Sequence, residues 1–164
     1  MTAMSAPDEM DEAFPEGIGG PGPEDWANGA AALVAALARE ANGLAGVAAG
    51  LRATLDLAEP DGGSRVAFDR HAIRDAAAHA GALAGALVVA GRGLARSGPR
   101  GIAAAAGEVA REVRRSGILP ADLAAHLRAA TLAPLTDDGA ARIAAGAIAE
   151  EFARALDAAW RRHS

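Results

Sequence analysis

EDWANGAAALVAALAREANGLAGVAAGLRATLDL, residues 24–57, is the stretch that decides the fold. It holds no proline, and Leu33, Leu37, Leu44, Val47, Leu51 and Leu55 recur in it at spacings of 4, 7, 3, 4 and 4. That periodicity predicts one long helix with a single apolar stripe, in which Val47 is placed with the leucines. Beside the stripe, Gly29, Ala36, Gly43 and Gly50 stand seven residues apart and leave a groove without side chains. A second helix can approach such a groove to about 8 Å, the near end of the usual interaxial range. Each helical glycine costs roughly 1 kcal/mol relative to alanine, so the heptad spacing points to packing as its reason.

The same grammar continues toward the C-terminus. Glu59 to Ser64 form a turn cluster, and a second helix is expected from about Ala67 to Arg96, closed by Ser97-Gly98-Pro99. Its centre, Ala76 to Ala90, is almost purely apolar but shorter than the ~20 residues a bilayer requires, which predicts a buried core helix and no membrane span. A third helix is expected from Arg100 to Arg115, and a short fourth from Pro120 to about Ala130, with proline in the first turn where its missing N–H matters least. Thr136, Asp137 and Asp138 then read as a cap and an acidic first turn for a last helix carrying Ile148, Phe152, Leu156 and Trp160 at four-residue intervals. Valine, isoleucine and threonine total 17 and nowhere alternate as a strand would. The expected fold is all-α, a bundle of about five helices, two of them long, closed by Ala/Gly-rich interfaces.

Composition supports that economy: 48 of the 164 residues are alanine and 20 are glycine, so large side chains are too few to fill a core alone. The body of the fold is expected over residues 24–164. Residues 1–23 differ, with Pro7, Pro15, Pro21 and Pro23 and a Gly17-to-Gly20 cluster broken only by Ile18. Seven acids and no base fall within residues 1–25, giving −7, while the remainder carries 14 acids and 16 arginines, giving +2. A flexible acidic tail is the expectation for 1–23, with Phe14 and Ile18 as apolar anchors for a protein partner and Trp26 beside them at the start of the first helix. The acidic N-terminus has no apolar secretory core, from which a cytoplasmic location is expected.

Missing residue types close off several chemistries. Without cysteine there is no thiolate nucleophile, disulfide or thiolate metal site, and without lysine no Walker A phosphate loop or Schiff base. His71, Asp75 and His79 fall on one 80° helical sector and form the single cluster suited to a divalent cation; the more ordinary reading is a histidine–carboxylate stack with Asp75 as the acid. Glu108 and Glu112 sit among arginines and read as a solvated, salt-bridged face. Arg92, Arg96, Arg100, Arg111, Arg114 and Arg115 could hold a nucleic-acid backbone but have no interleaved aromatics for stacking. His126 has no partner nearby in sequence. These features together predict a non-enzymatic helical assembly protein that needs no cofactor, binds a protein partner or itself, and uses its acidic tail as a docking arm. A regulator gripping nucleic acid through the arginine segment and a metal-binding bundle are the alternatives.

Overall fold

The computed structural model describes residues 22–57, 69–132 and 139–162, all helical apart from short connections, with no strand among them. The expected tail, with Phe14 and Ile18, lies outside the described residues except for Gly22 and Pro23. Helix α1 spans Pro23–Leu57, α2 Arg70–Ser97, α3 Ile102–Ser116, α4 Pro120–Leu132 and α5 Gly139–Arg162.

Local chemistry sets the helix ends. Pro23 occupies the first turn of α1 with Glu24 and Asp25, and the Gly22 N–H donates to Asp25 Oδ2 at 3.1 Å. Helix α2 begins three residues later than the sequence predicts, because Asp69 is extended and caps it, accepting from the Ala72 N–H at 3.1 Å. Gly98 ends α2 at φ 59°, donating to Leu94 O at 2.8 Å. A 3₁₀ turn, Pro99–Gly101, takes up the start expected for the third helix, so α3 proper begins at Ile102 and closes on Gly117 at φ 73°. A left-handed residue is needed at both stops, and glycine adopts it without a Cβ penalty.

The order is up and down. Helix α2 runs antiparallel to α1: Arg70 lies by Leu55 O, Gly81 by Ala48 and Gly91 by Leu37. Helix α3 turns back along α2, with Gly93 against Ala105 and Arg96 bonded to Glu108. Helix α4 descends beside α5, and α5 rises along α1 and α3, where Ala144 meets Gly29 and Trp160 meets Arg114. Phe152, Leu33, Leu37, Leu87, Leu127 and Leu156 are fully buried, and alanines such as Ala90, Ala106, Ala144 and Ala159 fill the space between them. No polar or charged residue is buried among the described residues. The close Ala/Gly packing expected from composition is thus present.

Helix length gives the bundle its shape. At 1.5 Å per residue α1 is about 52 Å long and α2 about 42 Å, whereas α3 and α4 reach only about 20 Å. Beyond Ala41 only Ala48 of α1 is buried, and α2 has no buried residue before Ala77. The loop end of the α1–α2 hairpin is therefore a two-helix arm beyond the layer that α3, α4 and α5 cover. By length and hydropathy both long helices could cross a membrane; 56% of the most apolar α2 window is inside the bundle, against 22% for α1.

Candidate interaction surface

The small-residue groove of α1 divides into two halves with opposite fates. At the base a Cβ on Gly29 would stand 2.5 Å from Ala144 Cβ and 2.9 Å from the Ala145 backbone nitrogen, so α5 lies directly on the glycine. Ala36, the next member of the heptad, is 2% exposed. Farther along, a Cβ on Gly43, Gly46 or Gly50 would meet nothing within 4 Å. Val47, placed by its spacing in the core stripe, is instead 54% exposed, and Leu57 is 82% exposed. The physical reason is angular: at 100° per residue Val47 sits 60° from Leu44, on the glycine side, where none of the described helices arrives. Leu44, Leu51 and Leu55 keep to the α2 side and are half-buried.

Trp26 stands at the other end of α1, half-buried and packed against the core, so its indole is committed largely to the fold.

The histidine cluster does not converge. His71 and Asp75 are exposed on the arm, and His79 Nε2 lies 3.7 Å from Asp122 Oδ2 of α4, so the carboxylate facing it belongs to another helix and not to Asp75. No group of three or more potential ligands is placed to hold a metal ion among the described residues. His126 finds a partner 86 residues away: its Nδ1 lies 3.4 Å from Glu40 Oε2 of α1. Asp122 and His126 stand one turn apart on α4, which spacing alone could show; their partners on α2 and α1 depend on tertiary packing that no local pattern encodes. Leu44, Leu83, His79 and His126 line an open groove of about 280 Å³ between these helices.

The arginine segment is partly absorbed by the fold. Arg96 pairs with Glu108 at 2.9 Å and Arg115 with Glu112 at 3.6 Å, so the solvated, salt-bridged face expected for the two glutamates is present. Arg114 donates to Trp160 O at 2.6 Å and places its guanidinium 4.4 Å from the centre of the Trp160 ring. Arg92, Arg100 and Arg111 remain exposed on α2, the 3₁₀ turn and α3. On α4 and α5, Arg128 Nε donates to Glu150 Oε1 at 2.7 Å, and this hydrogen bond holds the Glu150 carboxyl below its ordinary pKa.

The chain matches no family model, no curated protein and no solved structure.

Proposed function

We propose that this protein is a non-enzymatic assembly protein whose working surface is the projecting α1–α2 arm. The observation that carries the reading is the unoccupied half of the α1 groove, where Val47 and Leu57 stand exposed beside three glycines with empty space above them. Glycine is a poor residue for a solvent-facing helix, and Gly43, Gly46 and Gly50 weaken α1 without any return in contacts among the described residues. A helix laid in that groove would supply the return, as α5 does at Gly29. The wholly apolar core of the described residues supports the same reading, because no charged side chain is buried among them. The acidic segment 1–23 serves in this account as an accessory docking arm, its −5 charge set against a neutral body.

Photo-crosslinking residues at positions 47 and 50, in the cells that make the protein, test the reading. A covalent protein adduct of defined mass is expected from these positions and not from Ala103 or Ala158, exposed on other helices. Adducts from none of the arm positions would contradict it.

A further inference from the structure

A basic face lies where α2 turns into α3, and one ion pair fixes how its two sides meet. Arg96 of α2 bonds to Glu108 of α3 at 2.9 Å, so the two side chains stand together over the seam between the helices. At helical pitch Arg92 lies about 40° from Arg96, and Arg115 and Arg111 lie about 20° and 60° from Glu108, so all of them share that face. Arg100 is exposed on the connecting 3₁₀ turn. Of these arginines only Arg96 and Arg115 have ion-pair partners among the described residues, Glu108 and Glu112, and neither helix carries another acid except Asp75 near the far end of α2. The face therefore holds more positive charge than the fold neutralises.

The chain also carries a segment of opposite chemistry. Asp8, Glu9, Asp11, Glu12 and Glu16 lie within residues 1–23, which hold no base, and Phe14 stands among them. We infer that the stretch from Asp8 to Glu16 docks on this arginine face of its own chain, with Phe14 resting on Val88. Val88 is 39% exposed and one turn from Arg92, so it gives the face an apolar point beside its charges. The root of α1 repels the same segment, because Glu24 and Asp25 carry its sign there.

Chain length permits the contact. Gly91 lies by Leu37, so the end of α2 at Ser97 is level with Ala31 of α1, about 14 Å along the axis from Gly22. The chain from Gly22 back to Glu16 reaches about 20 Å when extended, which brings Glu16 to the end of the face at Arg96 and Arg100. Asp8 lies up to about 26 Å farther along the chain, and Arg115 stands about 20 Å from the start of α3. A short linker holds the two partners at an effective concentration of roughly millimolar order, so surface ion pairs that are weak singly suffice together. Docked in this way the acids cover the arginines, and a partner of either has to displace the other. The contact makes no use of the α1 groove and stands or falls separately from it.

Because the chain has no cysteine, Ala13→Cys accepts a single nitroxide label without removing an acid. In amide NMR spectra of the labelled full chain at low salt, residues 88–96 and 108–115 are expected to lose signal, while α4 and residues 43–57 keep theirs. The loss should disappear at about 1 M salt, where the screening length is ~3 Å. It should disappear as well when Asp8, Glu9, Asp11, Glu12 and Glu16 are replaced by their amides, a change that leaves the helices untouched. Arg92→Glu combined with Arg111→Glu should abolish it with circular dichroism unchanged. No signal loss on α2 and α3, or a loss indifferent to salt or to the amide replacements, overturns the proposal. In a mixture of labelled chains with isotope-enriched unlabelled ones, loss of equal size between molecules makes another copy's segment the occupant, and the same-chain assignment fails. A short DNA duplex that shifts residues 88–115 while the label has no effect on them makes nucleic acid the occupant, and the proposal fails.

Discussion

Val47 shows how far a single residue can be read from its neighbours. Its spacing from Leu44 and Leu51 suits a core position, yet it lies toward the glycines and is exposed, because only the arriving helices decide which side of a wide stripe is buried. His126 makes the same point for polar groups, since its partner Glu40 is distant in sequence. Glu150 gives a prediction at this scale. Its carboxyl is held below the ordinary value chiefly by the hydrogen bond from Arg128, so the ionised form is favoured in the folded chain relative to the unfolded one. That contribution is complete above the unfolded pKa and is lost as pH falls through the lower folded value. Glu150→Gln should therefore narrow the gap to the wild type in urea melts as pH is lowered from 7 through the acid range. A gap that is constant with pH contradicts the assignment. Arg114, which ties α3 to α5 through the Trp160 carbonyl and ring, should cost about 1 kcal/mol when replaced by alanine. Arg111→Ala, on the exposed side of α3, should stay within about 0.5 kcal/mol in the same denaturation series.

At the scale of elements, the helices were legible wherever apolar period and end signals agreed. The last helix carries Ile148, Phe152 and Leu156 at four-residue spacing, and all three are fully buried in α5. The C-terminal stops at Gly98 and Gly117 were legible for the same reason, as each needs the left-handed backbone that glycine supplies. The start of α2 was less so: Asp69 caps it, but a nearby alanine and phenylalanine extend the apparent helical pattern upstream. Hidden too was the 3₁₀ turn before α3, because Pro99 suits the first turn of either helix type. Two predictions belong here. Phe152→Ala, emptying the largest buried side chain, should cost about 3–5 kcal/mol by chemical denaturation. Hydrogen exchange should be much faster in residues 50–57 and 70–76 than in residues 30–41 and 83–94, because the loop end of the hairpin buries so little. Uniform protection along α1 would show that the arm is covered in the free chain.

The whole molecule follows from one economy, in which methyl groups and bare backbone do the filling that large side chains do elsewhere. The seven-residue repeat of Gly29, Ala36, Gly43 and Gly50 announces that a helix can come close, and α5 does so at Gly29. It could not announce that α5 leaves the groove before Gly43, since that depends on the course of α5, whose far end meets α3 where Trp160 lies by Arg114. The sequence therefore revealed the kind of contact but not which half remains available, and the candidate surface became visible only once the two long helices were seen to outreach the other three. The most direct measurement of this account is the unfolding free energy, taken well below any concentration of self-association, of two matched substitutions in the same groove. Gly29→Ala pushes a Cβ onto Ala144 and the α5 backbone and should destabilise the chain by about 1–3 kcal/mol. Gly50→Ala enters empty space and should stabilise it by about 0.5–1 kcal/mol through helix propensity. Shifts of the same sign at both positions would contradict a groove filled at one end and open at the other.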